Sequence, residues 1–245
     1  MIVSLTSFPA RINNVWQVVE CMLRQTYQPD KIILWLSKEQ FPTEESIPQS
    51  LRDREGAVFE IRMVDGDIRS HKKYYYVSKE YPDALIFLID DDIYYPTDIL
   101  EKTVKTGEAN PDAVICNYGY HIGYNDDGSL KPYNRWPRIF RCGIDNHIFF
   151  GSGGGTLFKP KQLYKNLTNI NLARELTPIA DDIWLNAMVR LAKRNVHLLD
   201  NGLILPVTIK NDVKLATQNK GLDMNDVQIN KLNDYYKKKV GFNVF

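Results

Sequence analysis

The most constraining feature of the chain is a short apolar run that stops abruptly at three acidic residues. The run is Ala84-Leu85-Ile86-Phe87-Leu88-Ile89, and Asp90-Asp91-Asp92 follow it directly. Six apolar residues without polar alternation predict a strand buried on both faces, which is typical of parallel sheets covered by helices. We therefore expect the acidic residues at the carboxyl end of a central strand.

Strand-like and helical segments alternate through the first half of the chain. Strands are predicted over residues 2–5, 31–36, 58–63, 84–89 and 113–117, and helices near residues 15–25, 44–54, 73–80 and 98–108. This order predicts an α/β fold, Rossmann-like, with a mostly parallel central sheet and helices on both faces. Because ligands bind at the carboxyl ends of parallel strands, the polar residues after the first four strands are expected to line one crevice.

Composition narrows the compartment and the partners. The 245 residues are 44% hydrophobic, enough for one large α/β domain, and the formal net charge is +1. With Lys and Arg mostly dispersed, no overall field favours nucleic acid. Three widely spaced cysteines indicate reduced thiols, and no apolar run approaches the roughly 18 residues of a membrane span. These features predict a cytoplasmic protein.

Three adjacent carboxylates at the end of a buried strand require compensating charge. They repel one another, and their desolvation is costly unless a cation or strong hydrogen-bond donors compensate their charge. A hard ion, Mn²⁺ or Mg²⁺, meets that requirement. If the chain stays extended, Asp90 and Asp92 share a face, and we expect Asp92 to be a direct ligand with Asp90 beside it. The alternative is that Asp91 or Asp92 caps a helix that begins near Thr97.

Basic residues stand close to the expected crevice. Arg69-Ser70-His71-Lys72-Lys73 lies between the third and fourth strands, where a cation reaches a diphosphate or nucleotide; a solvated basic face is the alternative. Arg11 lies at the start of the first helix, where the positive end of the helix dipole disfavours a cation unless a ligand or an acid compensates its charge.

A glycine-rich turn and a second acidic pair follow an irregular segment, 118–150, that is rich in aromatic residues. Gly151-Ser152-Gly153-Gly154-Gly155 permits close backbone approach to a phosphate or sugar, or is only a tight turn. It matches neither a P-loop nor a dinucleotide fingerprint. Asp181-Asp182 opens an amphipathic helix; one acid suffices as a cap, so the other is free to act as a general base. Tyr120, Tyr133 and Trp136 either stack on an acceptor sugar or form a local core.

Several segments resemble the GT-A fold glycosyltransferases, the nucleotide-sugar transferases with a D-x-D metal motif, in a bacterial polysaccharide-type branch. They are residues 4–12 (SLTSFPARI), 25–37 (QTYQPDKIILWLS) and 90–96 (DDDIYYP). Gly153-Gly154-Gly155 and Asp181-Asp182-Ile183-Trp184 are similar to the glycine stretch and the Glu-Asp motif of inverting members. The chain departs from that motif because Asp181 stands where the Glu is usual.

The resemblance implies a metal-dependent, inverting transfer of a sugar from a nucleoside-diphosphate sugar, with UDP favoured, to a glycan hydroxyl in surface polysaccharide synthesis. It assigns the base to Asp182, with Asp181 as its orienting neighbour, and the ion to Asp92 and Asp90. The donor is expected beside Thr6, Ser7, Arg11, Asp67, Lys72, Lys73, Asp90, Asp91, Gly153 and Gly154.

The resemblance covers most of residues 1–200, and one glycosyltransferase domain is expected over residues 1–245. Residues 1–117 form its nucleotide-binding half, residues 118–210 its acceptor-binding and catalytic half, and residues 211–245 a tail. The acceptor is expected to be a glycan or a lipid-linked glycan. Apolar spacing from Met224 to Val240 predicts a docked amphipathic helix with a basic end; peripheral attachment to the inner face of the membrane is the alternative.

Two other functions compete with glycosyl transfer. A sugar-nucleotide nucleotidyltransferase shares the strand order and the metal chemistry. Such enzymes resemble one another in a Gly-rich loop with Arg and Lys after the first strand, whereas this chain has residues 6–11, TSFPAR, at that place. A non-catalytic module that binds nucleotide or glycan on the same fold is the second alternative.

Overall fold

A mostly parallel sheet organises the chain. The computed structural model describes residues 1–139, 141–199, 205–207 and 223–245. Over these ranges the strands are β1 (Ile2–Thr6), β2 (Lys31–Ser37), β3 (Phe59–Val64), β4 (Ile86–Ile89), β5 (Ile93–Tyr94), β6 (Val114–Cys116), β7 (Gly119–His121), β8 (Gly143–Asp145), β9 (Ile148–Phe150), β10 (Gly154–Phe158), β11 (Val196–Leu198) and β12 (Leu205–Pro206).

Helices cover both faces of this sheet. They are α1 (Val15–Leu23), α2 (Gln49–Arg52), α3 (Lys72–Glu80), α4 (Ile99–Ala109), α5 (Ile170–Leu176), α6 (Asp181–Leu191) and α7 (Met224–Val240). The helix expected over residues 44–54 is shorter than predicted. A 3₁₀ turn at Glu44–Ser46 ends in extended backbone at Ile47, and α2 starts only after Pro48. Because a residue before proline avoids the helical region, Pro48 explains the interruption.

In the described residues, the main sheet has eight strands in the order β3-β2-β1-β4-β10-β6-β11-β8. Strands β3, β2, β1 and β4 are parallel. Strand β10 runs antiparallel between β4 and β6, β11 is parallel to β6, and β8 is antiparallel at the edge. The predicted α/β fold is confirmed. The insertion of β10 places the glycine-rich turn beside the end of β4, a neighbourhood that the sequence pattern did not predict.

Strand β4 is buried on both faces, as its apolar run predicts. Ile86 and Leu88 belong to the core that contains the buried face of α6, and Phe87 and Ile89 belong to the core under α1 and α4. All four side chains are inaccessible to solvent. The strand therefore fixes the acidic residues that follow it at the centre of one sheet edge.

The C-terminal helix is docked on the protein. Ile229, Leu232 and Tyr236 of α7 are buried, and the Asn233 carboxamide oxygen accepts hydrogen bonds from the backbone N–H groups of Val244 and Phe245, both at 2.9 Å. This confirms the docked helix, whose last turn carries exposed lysines. No helix within the described ranges is long and apolar enough to cross a membrane. The start of the predicted tail, residues 211–222, lies outside the described residues.

We expect Leu232→Ala to lower the free energy of unfolding by about 2–5 kcal/mol, because it leaves a cavity under α7. Val227 lies on the exposed side of the same helix, with 48% of its surface accessible, so Val227→Ala is the matched control and should change stability by less than about 0.5 kcal/mol. Urea denaturation measures both. Equal stability of the two variants would show that the tail does not dock.

Candidate active site

The acidic triplet lies in a turn between β4 and β5. Asp91 and Asp92 adopt turn geometry, so the extended chain assumed for the triplet is wrong. The side chain of Asp91 is only 8% exposed, whereas those of Asp90 and Asp92 are 40% and 28% exposed. The carboxylate of Asp91 is therefore buried, whereas those of Asp90 and Asp92 are partly accessible to a ligand.

Asp91 anchors the triplet to the segment that follows β1. Its carboxylate accepts hydrogen bonds from the Ser7 hydroxyl at 2.6 Å and from Arg11 Nη1 at 2.9 Å. The same Arg11 nitrogen lies 2.7 Å from Asp92 Oδ2. Burial raises the pKa of Asp91, and Arg11 and Ser7 oppose that effect. The charge of Arg11 is unfavourable near a helix N-terminus, and the carboxylates of Asp91 and Asp92 compensate it. The alternative that Asp91 or Asp92 caps the next helix is wrong, because α4 begins after Asp98.

Lys73 joins the two acidic motifs. Its ammonium lies 2.6 Å from Asp90 Oδ1 and 3.1 Å from Asp181 Oδ2, and the side chain is 5% exposed. Burial acts to lower the pKa of Lys73, but the charges of Asp181 and Asp90 outweigh it and raise that pKa above its ordinary value. Lys73 is therefore a buried cation shared by acids that are remote in sequence, and a solvated basic face is wrong for this residue.

The backbone at the start of α3 is fixed from the first strand. The Ser4 hydroxyl donates to the Lys73 carbonyl oxygen at 2.5 Å and accepts from Trp35 Nε1 at 3.0 Å. Both side chains are buried. Since the helix cannot move without breaking this chain of bonds, the position of the Lys73 ammonium is set by β1 and β2.

The glycine-rich turn packs directly on Asp90. A Cβ added at Gly153 would lie 1.8 Å from Asp90 Cγ, which no side chain permits. Tyr95 clamps the contact: its hydroxyl accepts from the Asp90 N–H at 2.8 Å and donates to the Gly153 carbonyl oxygen. The added Cβ of Gly154 would lie 2.5 Å from Tyr118 Cβ. The glycines thus allow close approach of protein side chains.

Ser152 holds the second acidic pair. Its hydroxyl donates to Asp181 Oδ2 and its backbone N–H to Asp182 Oδ1, both at 2.7 Å. The two acids occupy the first turn of α6, where neither makes a side-chain cap. The buried Asn186 carboxamide ties the same helix to Phe150 at the end of β9. The glycine-rich turn therefore contacts both acidic motifs at once.

The two carboxylates have different electrostatic environments. Burial acts to raise the pKa of Asp181, but Lys73 prevails and holds it below its usual range. Burial, reinforced by the charge of Asp181, raises the pKa of Asp182 to about 6. Asp181 is thus a permanently charged partner of Lys73. Asp182 gains and loses its proton near neutral pH, the range that suits a general base.

The remaining predicted residues make other contacts. The Thr6 hydroxyl donates to the Trp35 carbonyl oxygen at 2.7 Å. Lys72 is buried and pairs with Asp67 rather than with the acidic triplet, and burial lowers the pKa of this lysine. The structure therefore places Asp67 and Lys72 together, at a different point from Lys73.

The aromatic residues of the irregular segment divide into two groups. Trp136 is buried against Tyr133 and Phe149, so it belongs to a local core. Tyr118 and Tyr120 are partly exposed, and their hydroxyl oxygens lie 2.6 Å apart. Burial, followed by the charge of Asp182, raises the pKa of the Tyr133 phenol. Half-buried tyrosines therefore stand on the Asp182 side of the site.

Sequence reasoning did not anticipate Ser4, Trp35, Tyr95 and Ser152 as parts of the site. Each acts through contacts with residues at least five positions away, which pattern and spacing do not reveal. Only Ser152 carried a signal, as the polar residue of the glycine-rich turn. Among the described residues, no group of three or more His, Cys, Asp or Glu side chains is arranged to hold a metal ion.

Solved structures share this fold. The chain is similar to S. aureus TarS, residues 1–349, in complex with UDP-GlcNAc, with a TM-score of 0.55, 10% identity, and coverage of 99% of this chain and 73% of that one. It is also similar to CMP:2-keto-3-deoxy-manno-octonic acid synthetase complexed with CTP (TM-score 0.53, 10% identity, 93% and 98% covered).

A third similar structure is 4-diphosphocytidyl-2C-methyl-D-erythritol synthase from Anaerococcus prevotii (TM-score 0.51, 15% identity, 81% and 85% covered). No protein-family model and no curated sequence matches the chain. The fold is therefore the Rossmann-like α/β fold common to GT-A transferases and nucleotidyltransferases.

We expect Gly153→Ala to displace Asp90 and to lower the free energy of unfolding by about 1–3 kcal/mol through overpacking. Gly56→Ala is the control, because a Cβ at Gly56 meets no atom within 4 Å. Thermal denaturation compares the two variants. A Gly153→Ala protein as stable as wild type would contradict the close packing of the turn on Asp90.

Proposed function

We propose that the protein is an inverting, divalent-ion-dependent glycosyltransferase that moves a sugar from a nucleoside-diphosphate sugar, a UDP-sugar in the first instance, to a glycan hydroxyl. The observation that carries the proposal is the Lys73 bridge between Asp90 and Asp181. It brings a donor-side acid and an acid pair that are remote in sequence to one cation. A displacement at an anomeric carbon needs a leaving group on one side and a base on the other.

The donor side is the edge formed by the ends of β1 and β4. Strand ends of this kind bind nucleotides in open α/β sheets. Asp90 and Asp92 present partly exposed carboxylates, and Mg²⁺-like ions are commonly held by one or two carboxylates together with substrate phosphates. Because Lys73 and Arg11 already pair with these acids, an ion held by Asp90 and Asp92 would draw its remaining ligands from the substrate phosphates and water. Bound there, Mn²⁺ or Mg²⁺ would act as a Lewis acid on the departing diphosphate.

Lys73 and Arg11 organise this donor side from within the protein. Arg11 holds Asp91 and Asp92 together, and Lys73 holds Asp90. Cations beside the acids that are proposed to hold the metal and diphosphate favour negative charge that develops on a leaving group. The nucleotide sugar bound by the similar S. aureus TarS structure supports a donor of this class.

The acceptor side is built around Asp182. Its carboxylate is fixed by the Ser152 N–H, and its pKa of about 6 leaves it charged at neutral pH yet able to take a proton. Asp181 beside it is committed to Lys73 and Ser152. Tyr118 and Tyr120 offer partly exposed rings for an acceptor sugar. Asp182 is therefore assigned as the base that removes the proton of the acceptor hydroxyl.

The first alternative, nucleotidyl transfer on the same fold, finds less support. The segment after β1, residues 6–11, has no Gly-rich basic loop of the kind expected for such enzymes. The second alternative, a non-catalytic module, does not require a carboxylate that titrates near neutral pH, whereas a general base does. The raised pKa of Asp182 therefore favours an enzyme. An acceptor in the class of glycans or lipid-linked glycans, with attachment to the membrane through α7, belongs to the same proposal.

Asp182→Asn should reduce turnover by about 10²–10⁴-fold and leave UDP affinity nearly unchanged, because it removes the base but not the donor site. In the wild type, turnover should fall as pH decreases through about 6, since Asp182 then becomes protonated. Steady-state kinetics of sugar transfer across pH 5–8 measures both effects.

Asp181→Asn tests how the charge of Asp181 affects the pKa of Asp182. The charge of Asp181 helps to raise the pKa of Asp182, so its loss should move the acid limb of the pH profile to lower pH. It should also destabilise the fold, because Lys73 loses one partner. Transfer at the wild-type rate by Asp182→Asn, or a product that keeps the anomeric configuration of the donor, would refute the assignment.

A ligand that binds only the folded state raises the melting temperature of a protein. Because Asp92 is the proposed ligand of Mn²⁺, Asp92→Asn should abolish the increase in melting temperature that UDP with Mn²⁺ causes. Asp83→Asn is the control; Asp83 is exposed and pairs with Lys161. Thermal-shift measurements with UDP alone, Mn²⁺ alone and both together separate the contributions. An unchanged Mn²⁺-dependent shift in Asp92→Asn would exclude Asp92 as a ligand.

A further inference from the structure

A polar cleft lies next to the acid pairs but does not include them. Its volume is about 450 Å³, and its walls come from the turn after β3 and from α5 with the loop beyond it. Its lining includes Asp67, Arg69, Asn171, Arg174, Glu175 and Pro178. None of the residues of the acidic triplet contributes to this lining, so the cleft is a separate space beside the proposed donor site.

The cleft carries two exposed arginines and two carboxylates, those of Asp67 and Glu175, which form no ion pair with the arginines among the described residues. Neither Arg69 nor Arg174 has an ion-pair partner in the ranges that the structure describes, and both are exposed. Asp67 does not cancel them, because its carboxylate accepts from the Lys72 ammonium, from Gln40 Nε2 and from the Arg69 N–H. The positive charge of the arginine pair is therefore available to a ligand.

The walls of the cleft are fixed to each other. His71, fully buried, makes a 2.7 Å hydrogen bond between Nε2 and the Thr177 carbonyl oxygen and a 3.0 Å contact between Nδ1 and the Tyr74 hydroxyl. This joins the Arg69 wall to the Pro178 wall. Since the two walls cannot separate without breaking a buried bond, the cleft is largely formed before any ligand arrives.

Each wall leads directly into the proposed active site. Lys73 follows His71 by two residues, and Asp181 follows Pro178 by three. A ligand in the cleft would therefore contact the segments that lead into α3 and α6, the helices that carry Lys73 and Asp181. Glu175 and Asn171 offer an acceptor and an amide for sugar hydroxyls, while planar guanidinium groups bind phosphate and carboxylate through paired hydrogen bonds.

We propose that this cleft is an acceptor subsite that binds an anionic sugar, whose phosphate or carboxylate pairs with Arg69 and Arg174. The role as acceptor subsite rests on the proposed glycosyl transfer; the binding of an anionic sugar does not. The acceptor is assigned rather than the donor, because four of the seven lining residues belong to α5 and the loop before the acid pair of α6 and none belongs to the triplet. Asp67, expected near the donor, lies on the other wall and is engaged with Lys72.

The test is a set of NMR titrations of the full chain, without nucleotide or metal. Glucose 6-phosphate and glucuronate probe the two anionic groups, and glucose is the neutral control. Wild type should bind one or both anionic sugars at least tenfold more tightly than glucose. The double variant Arg69→Gln with Arg174→Gln should bind the anionic sugars at least tenfold more weakly, and each single variant should lose part of that affinity. Arg24→Gln is the control, because Arg24 is exposed and pairs with Glu20, and it should bind as the wild type does.

Affinity for UDP with Mn²⁺ separates this proposal from the proposed function. The double variant should bind UDP within about twofold of wild type. A parallel loss of UDP affinity would place the arginines in the donor site and overturn the acceptor assignment. Equal binding of glucose and the anionic sugars, or undiminished binding by the folded double variant, would overturn the anion subsite. A wild type that binds anionic sugars but no nucleotide would refute the glycosyltransferase proposal and leave the anion subsite standing.

Discussion

The site depends on one buried ammonium group held between two carboxylates. Lys73 is almost fully enclosed, and it remains charged because Asp90 and Asp181 both pair with its ammonium. Removing one partner of a buried ion pair costs about 3–5 kcal/mol, since the other charge is left unanswered. The end of β4 and the start of α6, which are separated by about ninety residues of sequence, are therefore constrained to meet at α3.

The glycine-rich turn makes that meeting compact. Ser152 satisfies both acids of α6, and Gly153, the next residue, packs against Asp90 with no room for a side chain. Two consecutive residues thus set the spacing between the acidic motifs. The raised pKa of Asp182 follows from partial enclosure and from the neighbouring charge of Asp181, which Lys73 offsets only in part. Local backbone geometry in this way determines the protonation chemistry.

Much of the fold follows from the sequence, because hydrophobic runs report burial. The run 84–89 predicted a strand buried on both faces, and α7 has the bounds that its apolar spacing indicated. The acidic motifs were also visible as residue types. Their mutual arrangement was not, since it arises from the antiparallel insertion of β10 and from long-range contacts of Ser4, Tyr95 and Ser152. The turn at Asp91 likewise depends on Arg11, a partner eighty residues away.

The phosphorus-containing product distinguishes sugar transfer from nucleotidyl transfer. If the Asp90–Lys73–Asp181 arrangement serves transfer of a sugar away from a nucleoside diphosphate, that product is the free diphosphate. The protein is incubated with Mn²⁺ and a panel of UDP-sugars, and separately with CTP or UTP plus sugar phosphates, and ³¹P NMR follows both reactions. Release of UDP from a UDP-sugar without pyrophosphate in the second mixture is the predicted result. Formation of pyrophosphate and a nucleotide sugar, with every UDP-sugar left intact, would contradict it.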